Sequence, residues 1–239
     1  MTAFLGFELR RAVRDMRFLF FLIAFPVALY LIESATNGRR AGFTTVFLAS
    51  MAVWSVMGSG MWSTGPQLCR ERAGGWIRQL RVTPLSDRAW LAAKIVQGCL
   101  MAIPGVVALG VAAVAKEHLH LSAGTWLALL VTVIVGAVPF VFAGLIVGLG
   151  LDAQTGQVVQ LITLILLAFL GGLFIPLSIM PVALRDVARA LPSYRLASIG
   201  WDIVGGHGPG AADVIVLALW TAVLAAGAIW LWRREAATG

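Results

Sequence analysis

The stretch Arg70-Glu71-Arg72-Ala73-Gly74-Gly75-Trp76-Ile77-Arg78-Gln79-Leu80-Arg81-Val82-Thr83-Pro84-Leu85-Ser86-Asp87-Arg88 decides the fold. It carries five arginines against two acids and lies between two apolar runs, each long enough to cross a bilayer. A charged side chain at the bilayer centre costs about 2.5–3.5 kcal/mol. The stretch therefore belongs in water, and its positive excess predicts the cytoplasmic side. The runs that flank it are then membrane helices.

Composition points the same way. Of 239 residues, 60% are hydrophobic and 12% charged, where a soluble domain has about 25% charged. The mean hydropathy is +0.91. The apolar runs have helix length, unlike the alternating strands of a membrane barrel of about ten residues each. The net charge of +7 does not point to nucleic acid, because the arginines cluster beside apolar spans, where the positive-inside rule accounts for them. Cys69 and Cys99 fall at different depths, so no disulfide is expected. The first apolar run starts at Phe18, behind four arginines and without a small-residue cleavage site. It reads as a retained anchor.

Working outward gives one all-α transmembrane domain over residues 1–239. An amphipathic interfacial helix is predicted at 3–17, with Leu5, Leu9, Val13 and Met16 on one face and Arg10, Arg14 and Arg17 on another. Six spans follow at about 18–33, 43–64, 89–115, 124–150, 157–180 and 211–232. This threading puts twelve basic residues inside and six outside, with both termini cytoplasmic in a multi-pass plasma-membrane protein. An outer hairpin of two short helices is expected at 181–205, broken at Pro192. The segment 70–88 contains a short helix with Trp76, Ile77 and Leu80 on one face. Pro84 ends it, and Ser86 can cap the third span.

Chemistry is sparse. No glycine-rich loop leads into Lys-Ser or Lys-Thr, so ATP-driven work needs another polypeptide, and this chain itself binds no cofactor. His118 and His120 lack a third ligand, and no metal site or catalytic residue is expected. Ionisable groups are almost absent from the spans, against a proton- or sodium-coupled carrier. Weakly polar stripes remain. Ser55, Ser59 and Ser63 share a face of the second span, and Gln157 and Gln160 a face of the fifth. Each stripe is either helix–helix glue or the wall of a path. Gly144 and Gly148 have a packing spacing.

The basic stretch resembles the coupling segment of ATP-binding-cassette type-2 exporter permeases, including the daunorubicin-resistance-type drug exporters. The resemblance rests on Glu71, Arg72, Gly75, Leu80, Thr83, Pro84, Leu85 and Ser86. Ala73, Trp76 and Arg78 depart from the family pattern and make the segment more basic. Gly171-Gly172-Leu173-Phe174-Ile175-Pro176 with Leu191-Pro192-Ser193-Tyr194 is similar to the family's fifth span and outer helices. The resemblance implies a permease dimer, homomeric or heteromeric, in lipid, with two separate ATPase subunits that hold ATP and Mg. It implies ATPase coupling through Glu71, Arg72, Gly75, Trp76, Ile77, Leu80, Thr83 and Pro84. It also implies a path along the second and fifth spans, drawing in Trp54, Ser55, Ser59, Trp62, Ser63, Gln157 and Gln160. The expected function is export of hydrophobic or amphipathic small molecules. The alternatives are an ATPase-independent transporter and a non-transporting scaffold.

Overall fold

The computed structural model describes residues 20–37, 42–75, 87–117 and 119–238. The predicted interfacial helix and most of the basic segment, including Trp76, Ile77, Leu80, Thr83 and Pro84, lie outside the described residues, as does His118. The described chain is helical: a π-helical turn Phe20–Ala24 leads into α1 (Phe25–Asn37), followed by α2 (Phe43–Ala73), α3 (Asp87–Glu117), α4 (Ala123–Gly136), α5 (Val138–Gly150), α6 (Ala153–Leu170), α7 (Val182–Ala190), α8 (Pro192–Val204) and α9 (Ala211–Thr238). Among the described residues five helices, with α4 and α5 counted as one, are long and apolar enough to cross a membrane, beside the shorter apolar Leu22–Asn37.

α2 is the axis. It is buried along most of its length and packs against α5, α3, α8, α6 and α1. Close approach to α5 depends on glycine. A Cβ on Gly60 would press on Val141 and Phe140, and one on Gly144 would collide with Thr64 and the Met61 backbone. In return, Thr64 Oγ1 donates to Val141 O at 3.1 Å. Gly144 and Gly148 thus serve the α2–α5 contact, where small residues let membrane helices gain dispersion energy.

Two helix ends depart furthest from the sequence reading. α2 runs to Ala73 rather than 64, and α6 ends at Leu170 rather than 180. The physical reason is a glycine pair. At Gly171-Gly172, Gly172 takes φ +77° and donates to Phe169 O, while Leu173 N donates to Ala168 O. Only glycine enters that left-handed region without a Cβ penalty, and the arrangement satisfies carbonyls left open at the helix end. Gly74-Gly75, with φ +71° at Gly75, ends α2 in the same manner. α6 begins where Asp152 Oδ1 accepts from Gln154 N and Thr155 N, both at 3.0 Å. The Thr155 amide contributes most to holding the Asp152 carboxyl below its usual range.

The bundle has two distinguishable ends. At the hairpin end, Pro192 opens α8, and Leu196 fills the space above Gly136. Arg195 Nη1 donates to Asp213 Oδ1 at 2.6 Å and Ser198 Oγ to Asp213 Oδ2 at 2.9 Å, tying α8 to the start of α9. The other end, from which the basic segment leaves, is called the basic end below.

Candidate functional site

A cavity of about 460 Å³ opens between α1, α2 and α6. α1 and the turn before it contribute Leu22, Phe25, Leu29 and Glu33. α2 contributes Phe47, Trp54, Gly58 and Trp62, and α6 contributes Leu161, Leu164, Ile165 and Phe169, with Phe174 beyond it. Four rings form a continuous row: Phe25–Trp54 at 5.3 Å, Trp54–Phe174 at 5.2 Å and Phe174–Phe169 at 5.1 Å between centroids. Such spacing suits edge-on and offset aromatic contact. Glu33 is the charged residue of the wall, and Asn37 Nδ2 donates to its Oε2 at 2.9 Å. Gly58 is a gap in the α2 wall, where a Cβ would meet nothing within 4 Å.

Trp54 and Trp62 therefore face the cavity, but the serine stripe does not. Ser55, Ser59 and Ser63 are buried against the packing partners of α2, the arrangement expected of the helix–helix glue alternative. Ser55 shows the cause. Pro26 has no N–H to give to the carbonyl four residues earlier, that of Leu22. Ser55 Oγ donates to that carbonyl at 3.2 Å. Gly105 of α3 leaves the space, since a Cβ there would sit 3.0 Å from both the Leu22 oxygen and Ser55 Cβ. Ser59 and Ser63 bond back to Val56 O and Gly60 O of their own helix. Gln157 is exposed on α6, outside the cavity wall. Gln160 is wholly buried beside Gly65, its amide without a partner among the described residues.

The described part of the coupling stretch is built into the bundle. Glu71 is 3% exposed and Lys94 is fully buried, with Lys94 Nζ 3.0 Å from each carboxylate oxygen. Gln67 Nε2 donates to Glu71 Oε1 at 3.1 Å, and Gln97 Nε2 to Gln67 Oε1 at 3.3 Å. Glu71 thus faces inward and presents no surface to a soluble protein. Arg72 Nε donates to Glu235 Oε1 at 2.6 Å, while its Nη1 donates to Gly148 O and Leu151 O, both at 3.2 Å. Those carbonyls lie at the end of α5, where helical donors run out and a cation is favoured. Gly75 is the left-handed cap of α2. Sequence reasoning missed Lys94, Gln67, Gln97 and Glu235. The available signal was Gln67 four residues before Glu71 and Lys94 three residues before Gln97, each pair at helical spacing near the end of an apolar span.

The sequence has counterparts among known proteins. The family model described as "ABC-2 family transporter protein" matches residues 24–232. "Putative transport permease YvfS" of Bacillus subtilis (strain 168) is 27% identical over 215 residues, which cover 88% of this chain and 87% of the relative. A multi-pass helical bundle whose central helix passes from an aromatic cavity to a basic segment, matched over nearly its whole length, belongs to the ABC-2 family of transporter proteins.

Proposed function

We propose that this chain is the membrane subunit of an ATP-driven exporter of amphipathic small molecules, powered by ATP hydrolysed with Mg on two separate ATPase subunits. The observation that carries the reading is the continuity of α2. One helix holds Trp54, Gly58 and Trp62 at the cavity and ends at Gly75, where the basic segment departs. A push on that segment displaces a cavity wall. The basic end faces the cytoplasm, in keeping with its arginine excess. Trp76, Ile77 and Leu80 form the apolar contact with the ATPase, ended by Thr83-Pro84. Glu71, Arg72 and Gly75 anchor the stem that carries the contact.

The cavity wall supports the cargo class. Aromatic faces with one carboxylate suit an apolar body carrying a protonated amine, which gains cation–π attraction as well as charge pairing. A second permease subunit, identical or different, closes the open side along the exposed apolar face of α6, formed by Leu161, Ile162, Ile165 and Phe169.

The test is reconstitution of the chain with its copurifying ATPase in liposomes and measurement of ATP-dependent movement of a fluorescent lipophilic amine. W76D/L80D is expected to abolish ATP-dependent movement and release the ATPase. Full transport by that double variant, or transport by the chain without any ATPase, would overturn the reading.

A further inference from the structure

A second cleft, of about 270 Å³, lies at the basic end between the start of α3, the end of α5 and the end of α9. It is distinct from the cavity of α1, α2 and α6. Its floor is Leu145 and Leu149 of α5, and its sides are Leu91 of α3 and Ile229 of α9. Trp90 and Trp232 bridge the sides, stacked with centroids 4.2 Å apart and planes 17° from parallel. Apart from this stack, α3 and α9 hardly approach one another.

Three features suit an occupant of mixed chemistry. First, Trp90 is 3% exposed, and the indole nitrogens of Trp90 and Trp232 are both sheltered from solvent without an acceptor among the described residues. A buried donor left in that state is costly, and native structures rarely retain one without a reason. Second, Arg233 stands at the mouth of the cleft, exposed and without an ion-pair partner among the described residues. The nearby carboxylate of Glu235 is engaged by Arg72, and Arg234 lies over the Trp230 ring at 5.7 Å. The local field is therefore positive. Third, the remaining walls are aliphatic, which a soluble anion would not use. Its volume of about 270 Å³ is also less than a single turn of a helix about 10 Å across and about 5.4 Å in pitch would fill.

We propose that this cleft binds one anionic phospholipid from the leaflet at the basic end. An acyl chain lies along Leu145, Leu149 and Ile229. The phosphate sits at Arg233, where its oxygens can accept from the indole N–H groups. Trp232, the half-buried ring of the pair, is the one that can turn toward the headgroup. Tryptophan at the interface and basic pockets between membrane helices both serve lipid headgroups. The occupant would join α3, which emerges from the basic segment, to the last helix of the bundle. The site needs neither the proposed cargo nor an ATPase.

The experiment is native mass spectrometry of the full chain in detergent, titrated with phosphatidylglycerol and phosphatidylcholine of identical acyl chains. About fivefold preferential retention of one phosphatidylglycerol is expected, the factor that one basic residue near anionic lipid supplies. R233Q should reduce the preference to near unity. W90F/W232F, which keeps two stacked rings but removes both donors, should weaken retention. Inorganic phosphate should fail to compete. Equal retention of the two lipids by the unaltered chain overturns the proposal without relying on any variant. So does an unchanged preference in both R233Q and W90F/W232F, or full displacement by inorganic phosphate, which would make the cleft a simple anion site.

Discussion

The basic end of α2 and the cavity midway along it are held by different forces. At the basic end, Glu71, Lys94, Gln67 and Gln97 form a buried polar cluster, and Arg72 joins α2 to α5 and α9. Around the cavity, α2 faces aromatic and aliphatic surfaces of α1 and α6, and most of the outer face of α6 remains uncovered. Directional bonds in a low-dielectric interior transmit displacement with little slack, because breaking them leaves charges unpaired. Apolar contacts are non-directional and can slide. The cavity-facing side of α2 is therefore less constrained than its basic end, while Ser55 and Thr64 still tie the helix to Leu22 and Val141.

The contrast can be broken most severely at Lys94. K94M leaves Glu71 buried without its cation and should destabilise the chain by about 3–5 kcal/mol, measured as a fall in the thermal midpoint in detergent. The double variant E71M/K94M should recover most of that loss, and failure to recover would mean that the cluster does not act as a pair. A smaller effect is expected at Ser55. S55A removes the hydroxyl donor to the Leu22 carbonyl and should cost about 0.5–1.5 kcal/mol while leaving cargo preference unchanged. A changed preference would return Ser55 to the path. The smallest stability effect should be at Gly58. G58A adds a Cβ in open space within a helix, worth up to about 1 kcal/mol of added stability. G58F should keep the fold but occupy the cavity and stop transport. Undiminished transport by G58F would place the path elsewhere.

Much of the topology was legible because bilayer crossing imposes a length and an apolar composition that few other structures share. The end of α6 was less so. An apolar run continues through Leu173, Phe174 and Ile175, and hydropathy has no means of stopping a helix there. The stop is conformational: Gly172 at positive φ reverses the backbone. The pairs Gly74-Gly75, Gly171-Gly172 and Gly205-Gly206 all end helices with the second glycine at positive φ, so the signal was present in the sequence as a repeated dipeptide. The break between α4 and α5 at Ala137 has no comparable warning beyond Pro139.

The candidate site was legible by residue type and illegible by direction. Trp54 and Ser55 are neighbours on one helix, yet one ring faces the cavity and the adjacent hydroxyl donates to the Leu22 carbonyl of the turn before α1. By itself, the sequence determined that this chain crosses a membrane repeatedly and carries a basic segment between its second and third spans, because the cost of burying charge is local and composition alone exposes it. Only the tertiary structure decided that Glu71 turns inward to Lys94, that the serines are buried against neighbouring helices, and that aromatic rings from three helices meet around one cavity. Those outcomes depend on the rotation of each helix about its axis. In an apolar solvent that rotation is set by glycine contacts and polar pairing between helices distant in sequence, not by hydropathy along any one of them.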